Sequence, residues 1–277
     1  MLQNIRKFVR PIVKPARQLI AEQLFVTSLR STDVFNVSYP KSGTTWVAFF
    51  LASLLHEKST TEVPEIPLNI NDEEKYVIDI NYEYFETMKS LRAYKHMPEP
   101  RIFSVHAPYD HNLPKVIYLV RDPRDVMVSY YYYHRRIYPD FDMSIEQFII
   151  NNRMRPCDWG VHVAGWLAQA ERDRLLLVRY EDLRKDGYYW FRKISEFCGL
   201  DVTEEELKRA MENSSFENMR RQEERFGFSG ATGDNSIPFM RKGKVGSWQD
   251  ELGPELVQII EKRYSELMER LGYRSNS

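Results

Sequence analysis

The segment Tyr39-Pro40-Lys41-Ser42-Gly43-Thr44-Thr45-Trp46 constrains this chain more than any other. It joins a buried-strand pattern, Val34 to Tyr39, to a helical pattern. The latter starts at Thr44, runs to about His56 and is apolar nearly all round. A strand feeding a helix through a short glycine-bearing loop is the repeating unit of α/β folds. Such a joint aims several backbone N–H groups at one point. The helix dipole adds positive potential there, so the natural guest is a phosphate or a sulfate. Nucleotide triphosphatases use the pattern GxxxxGK[ST], with lysine directly after the second glycine. Here Thr44 follows Gly43, and the lysine comes earlier, as Lys41. The cation enters on the incoming side of the loop, and two hydroxyls, Thr44 and Thr45, follow the glycine.

The rest of the chain carries the same alternation. Lys115 to Val120 and Leu175 to Tyr180 are short aliphatic stretches without strict alternation, as in strands covered on both faces. After the second strand Asp122 is placed to cap a helix, Pro123 to fill its first turn and Asp125 to complete a box-like N-terminus. Tyr188 to Cys198 reads as a further helix ending at Gly199. Leu256, Ile259, Ile260, Tyr264, Leu267 and Leu271 make one helical stripe near the C-terminus. The expectation is a single α/β domain, residues 31–277, with a central parallel sheet flanked by helices and a P-loop-like loop after its first strand. A basic leader over residues 1–30 precedes it. With 277 residues, such a domain buries enough surface to need no disulfides. Residues 57–100 and 220–247 fit no strand–helix unit. In parallel sheets ligands sit beyond the C-terminal strand ends, so both segments are assigned to the rim of the site.

Two more segments can bind anions. Arg121 stands at the end of the second strand, and Ser129 lies two turns into the next helix. An arginine and a hydroxyl together grip a phosphate, the guanidinium offering paired donors. Arg241-Lys242-Gly243-Lys244-Val245-Gly246-Ser247-Trp248 sets three cations beside two glycines, a loop able to fold over an anionic ligand. In this order the three segments resemble the cytosolic-type sulfotransferase family. PKSGTTW resembles its 5′-phosphosulfate loop, Arg121 to Tyr130 its 3′-phosphate-binding strand–helix, and RKGKVGSW its RKGxxGxW signature.

The resemblance runs from about Asp33 to about Trp248. It implies 3′-phosphoadenosine 5′-phosphosulfate (PAPS) as co-substrate, with its sulfuryl group passing to a hydroxyl, or less readily an amine, of a small acceptor. It implies that Lys41, Ser42, Gly43, Thr44 and Thr45 bind the phosphosulfate end. Arg121, Ser129, Arg241, Lys242 and Gly243 then bind the 3′-phosphate, and Trp46 and Tyr180 lie beside the adenine. Ser214, Phe216 and Met219 match a Thr-Ser-Phe…Met segment of the cofactor site, with Ser214 in place of threonine.

Sulfuryl transfer, like phosphoryl transfer, needs a proton acceptor, a counter-charge for the leaving phosphate and a fixed line of attack. Histidine is the usual base near neutral pH. Among six histidines, His106 follows a short apolar strand and resembles the catalytic base of the family's KTHLP segment. The lysine of that segment is Ser104 here, so either Lys41 carries more of the leaving-group role or another cation enters. No metal is expected, since no Cys/His cluster has ligand spacing. Gln249 to Glu255 does not match the dimer motif common among relatives, so that form of homodimer is not expected and the oligomeric state stays open.

Composition bounds the remainder. A net charge of −1 gives no general field for nucleic acid. Cys157 and Cys198 read as free thiols, and no apolar run approaches the ~18 residues a membrane span needs, so a cytoplasmic enzyme is expected. Residues 1–20 hold Arg6, Lys7, Arg10, Lys14 and Arg17 and no acid. They suit either a weak membrane-surface contact or an ordinary leader packed on the domain. Tyr76, Tyr82, Tyr84, Phe85, Tyr109 and Tyr131 to Tyr133 could wall an apolar acceptor pocket or belong to the core. Two other readings compete: a P-loop nucleotide kinase, which shares the fold class, and a catalytically silent nucleotide-binding protein, suggested by the basic N-terminus and Ser104.

Overall fold

A computed structural model describes residues 27–59, 68–79, 97–151, 156–169, 173–228 and 232–273. Most of the basic leader lies outside them, as do Tyr82, Tyr84 and Phe85. The sheet has five strands: β1 (Val34–Ser38), β2 (Val77–Asp79), β3 (Ile102–Val105), β4 (Lys115–Val120) and β5 (Leu175–Arg179). Their order is β2-β3-β1-β4-β5, and every pairing is parallel. β1 is central, with Val37 opposite Val105 on one side and Tyr118 on the other. The chain leaves β1 toward β2 and β3, then crosses back to β4. The C-terminal ends of β1, β3 and β4 therefore open a crevice at the point where strand order reverses.

Alternate residues of the strands serve two cores. Tyr118 and Val120 of β4 face one packed against α2 (Pro123–Ile137), α4 (Trp159–Leu167), α9 (Pro254–Arg263) and α10 (Ser265–Arg270), with α3 (Ile145–Asn151) at its margin. Ile117 and Leu119 face the other, built on α1 (Thr44–Ser59), α6 (Gly187–Cys198) and α7 (Glu204–Asn213). α1 is buried over most of its length, as its all-round apolar pattern requires. α5 (Tyr180–Lys185) follows β5 directly, and α8 (Phe216–Phe226) leads to the basic loop.

Three details differ from the sequence reading. β2 was not anticipated: it is three residues long and lies in a proline- and aromatic-rich stretch. β5 alternates between buried and half-buried residues because it is the sheet's edge, not one of its doubly covered strands. The C-terminal stripe is two helices broken at Tyr264, whose ring packs on Trp159 and whose hydroxyl donates to Asp158 at 2.8 Å. The buried face nonetheless continues across the break through Leu256, Ile260, Tyr264, Met268 and Leu271. Gly199 ends α6 in the left-handed conformation, as read. No described helix is long and apolar enough to cross a membrane.

At the opposite, N-terminal ends of β1 and β3 the sheet is locked by a buried ion pair. Arg101, just before β3, donates to both oxygens of Asp33, just before β1, at 2.8 and 2.6 Å. The side chains are 3% and 0% exposed. Removing one partner would leave a buried charge without compensation. Asp33→Ala should therefore lower stability by about 3–5 kcal/mol, read from the midpoint of urea unfolding. An unchanged midpoint would show that the pair does not tie the strands together.

Candidate active site

The loop after β1 turns sharply. Lys41 (φ 70°) and Gly43 (φ 106°) both have left-handed backbone conformations. A non-glycine residue held there is uncommon and marks a constrained loop. At Gly43 a Cβ would lie 2.9 Å from the Tyr180 ring, so glycine also lets that ring close against the loop. Ser42 is fully buried, and its hydroxyl has no hydrogen-bond partner among the described residues. Asn36, at the middle of β1, donates to the Thr44 carbonyl at 3.0 Å and to the Ser104 hydroxyl at 3.1 Å. Ser104 thus sits 7% exposed, in the sheet beneath the loop. The Lys41 ammonium rests 4.1 Å from the Phe239 ring centre and 4.5 Å from that of Tyr133. Burial lowers its pKa to about 7; the guanidiniums of Arg121 and Arg136 act in the same direction and Glu223 opposes them.

Arg121 ties this loop to the second and third motifs. Its guanidinium donates to the Lys41 carbonyl at 3.2 Å and to the Lys244 carbonyl at 3.0 Å, and lies 4.4 Å from the Tyr180 ring centre. Its Nε is buried without a hydrogen-bond partner among the described residues. Ser129 is half-buried, two turns into α2. Asp122 caps α2 as read, accepting from the Arg124 N–H at 2.9 Å, and Pro123 takes the first position. Asp125 does not complete a box. Its carboxylate accepts from the Gly246 N–H at 2.8 Å and from the Ser247 hydroxyl and Trp248 N–H at 3.0 Å. The Asp122 N–H turns instead to Glu181, at 3.0 Å. A carboxylate 1% exposed binds wherever the most donors converge, and here they converge in the basic loop.

That loop is shaped by close packing. Gly243 (φ 61°) lies so near Phe216 that a Cβ would come within 2.4 Å of the ring. Glu223 of α8 accepts from the N–H groups of Phe239 and Met240 at 2.6 and 2.8 Å, which orients the residues entering the loop. Arg241 stacks on Tyr132 and pairs with Glu251; Lys242 pairs with the same carboxylate. The hydroxyl of Ser214 donates to the Ala210 carbonyl at 2.8 Å, and this residue and Met219 are buried at 0% and 1% exposure. Ser214 closes α7, and Met219 lies in α8, the helix that begins at Phe216. Trp46 is half-buried, edge-on to Tyr180 and Phe191.

His106 follows β3 at the opposite wall of the crevice. Its Nδ1 lies 2.9 Å from the Ser38 carbonyl oxygen. A carbonyl can only accept, so Nδ1 carries the proton and Nε2 keeps a free lone pair. Burial lowers the His106 pKa; the Ser38 contact pulls upward, and the Lys41 charge lowers it further. Sequence reasoning missed Asn36, Ser38, Asp125, Glu223 and Glu251. Only the Asp125 position carried a signal, and it was assigned to a helix cap. Of the aromatic candidates, Tyr132 and Tyr133 lie against Arg241 and Lys41. Tyr76 bonds to His56 at 2.7 Å. Tyr109 lines a small cavity with Trp166, Val116 and Leu175 at the start of β4 and β5, away from the loop.

Residues 31–272 match the sulfotransferase domain family. The chain belongs to this family. A sulfotransferase moves a sulfuryl group from a donor to an acceptor, so the protein is an enzyme. This sulfotransferase is 29% identical to the 3-beta-hydroxysteroid sulfotransferase of Cavia porcellus, with 93% of the chain aligned to 91% of the relative. It is 28% identical to the amine sulfotransferase of Oryctolagus cuniculus, covering 90% and 85%. The fold is shared with retinol dehydratase solved with androsterone and the inactive cofactor PAP (TM-score 0.67, 23% identity, 87% and 81% covered). It is also shared with a mouse sulfotransferase solved with PAP (TM-score 0.65, 24% identity, 90% of each chain). The family match over residues 31–272 does not favour the kinase reading.

Proposed function

We propose that this sulfotransferase uses PAPS as donor, releases adenosine 3′,5′-bisphosphate (PAP) and sulfates a hydroxyl or amine of a small, largely apolar molecule. The observation that carries the reading is Arg121, whose one guanidinium touches both the Lys41 loop and the basic loop. Two anion-binding loops joined at one point suit a ligand with phosphate groups at both ends of a nucleoside. Two buried polar atoms without a partner among the described residues support the fit: Ser42 Oγ in the first loop and Arg121 Nε between the loops. In this reading Lys41, Ser42, Gly43, Thr44 and Thr45 hold the phosphosulfate, and Arg121, Ser129, Arg241, Lys242 and Gly243 hold the 3′-phosphate. Trp46, Tyr180 and Phe216 border the adenine. Ser214, at the end of α7, and Met219, in α8, complete the cofactor-site residues of this reading.

The chemistry follows from the two groups facing across the crevice. His106 Nε2 takes the proton of the acceptor hydroxyl as its oxygen attacks sulfur. The bond from sulfur to the bridging phosphate oxygen breaks in line, and Lys41 offsets the charge left on that oxygen. In this reading Lys41 supplies the counter-charge and no metal ion takes part. The similar steroid and amine sulfotransferases support a small organic acceptor of either nucleophile type.

Calorimetry with PAP and, separately, with ATP and magnesium tests the donor. Tight binding of PAP and weak binding of ATP are expected; the reverse preference would restore the kinase reading. A transfer screen with labelled PAPS across phenols, alcohols, sterols and amines tests the activity. PAP binding with no transfer to any acceptor would favour a silent binding protein. Gly243→Ala should weaken PAP binding about tenfold or more, because left-handed alanine costs ~1–2 kcal/mol and its methyl group meets Phe216. Unchanged PAP affinity would show that the loop does not close on the ligand in this shape.

A further inference from the structure

The basic loop carries its own anion. The side chain of Glu251 is 10% exposed, and one oxygen, Oε1, meets both Arg241 Nη1 and Lys242 Nζ. The Tyr132 hydroxyl reaches the same carboxyl group. Burial pushes this acid's pKa up, but Lys242, Arg241 and Tyr132 together hold it below the usual carboxylate value. Glu251 is therefore ionised at neutral pH and already occupies two cations that the proposed function assigns to the 3′-phosphate.

We propose that Glu251 is a built-in competitor of the 3′-phosphate: it occupies Arg241 and Lys242 in the free enzyme, weakens nucleotide binding and speeds departure of the bisphosphate product. The inference rests on the PAPS reading. Its physical basis is charge. A phosphate entering between Arg241 and Lys242 must either displace the carboxylate or bind beside it, and like charges in a partly desolvated site repel strongly. Gln249 and Asp250, its neighbours in the short helical turn Ser247–Asp250, are exposed. Glu251 alone of the three turns inward onto the basic loop. A purely structural role predicts the opposite sign: if the carboxylate served only to aim Arg241 and Lys242, removing its charge would loosen the ligand.

The test is Glu251→Gln, which keeps the shape and an acceptor oxygen but removes the charge. Calorimetry with PAP should show about tenfold tighter binding than the wild type, and stopped-flow displacement a similarly slower release. Adenosine 5′-monophosphate, which lacks the 3′-phosphate, should bind the variant and the wild type alike. The dependence of PAP affinity on salt should steepen, because two cations are then freed for the ligand. Equal or weaker PAP binding by the variant would overturn the proposal, as would equal tightening toward adenosine 5′-monophosphate. Should the glutamine variant fail to fold, Glu251→Ser is read by the same criteria. Wild-type protein that binds no PAP would instead sink the donor reading itself. Wild-type binding that Glu251→Gln leaves unchanged would sink only the competitor.

Discussion

His106→Ala should cut turnover by about 10²–10⁴-fold, the range a positioned general base supplies, and leave PAP affinity nearly intact. The separation of the two effects is the informative part. His106 makes its hydrogen bond to Ser38, at the end of β1, and none to Arg121, Arg241 or Lys242. Its loss removes a proton acceptor without disturbing the cations that hold the nucleotide. The imidazole is also suited to the work at neutral pH. Its proton is fixed on Nδ1 by the Ser38 carbonyl, and burial keeps the ring neutral by lowering its pKa. Single-turnover rates and PAP calorimetry on the same preparation would check both halves. Near-normal turnover would remove His106 as the base, and lost PAP binding would show that the residue supports the fold of the crevice.

Lys41→Ala should fail in both respects, because a cation beside the phosphosulfate meets ground state and transition state alike. A loss of about 10²–10³-fold in turnover is expected, comparable with removal of one preorganised donor to a developing anion. PAPS affinity should fall with it. The charge has a pH signature whose sign follows from burial. In the free enzyme the Lys41 pKa is brought down to about 7, so the ammonium is present below that pH and lost above it. The kcat/KM for PAPS, which reports the free enzyme, should therefore decline as pH rises through about 7. In the complex the donor's negative charge favours the ammonium, and the alkaline limb of kcat should lie higher. Lys41→Arg, whose guanidinium does not titrate in this range, should lack the alkaline limb of kcat/KM. A wild-type kcat/KM flat from pH 6 to 9, or a limb that persists in Lys41→Arg, would show that Lys41 is not the titrating cation.

The parts of this protein legible in its sequence are those that short stretches of chain decide alone. Lys41, Gly43 and Thr44 lie within one turn, and the strand before and helix after them place that turn at the C-terminal end of a strand. The cap at Asp122 and Pro123 and the stop at Gly199 are equally local. The family pattern then brought Arg121, His106 and the basic loop into one site. The two readings of the basic leader, membrane-surface contact or ordinary packing, fall on residues 1–20, which lie outside the described residues.

Long-range encounters were not legible. Asp125 has the residue type and spacing of a capping box, and nothing near it in the chain says that Gly246, Ser247 and Trp248 will bring their donors to it. Glu251 reads as an ordinary surface acid until folding sets it under Arg241 and Lys242. His106 has two possible tautomers until the Ser38 carbonyl, contributed by the neighbouring strand, selects one. Local backbone preference and apolar periodicity are properties of adjacent residues, so the chain itself determined the strands, helices and anion-binding loops. Buried charges and hydrogen bonds depend on which groups meet after the sheet is assembled. Only the tertiary structure could decide those, because an ionised or polar side chain removed from water must take whichever partner the fold has placed within reach.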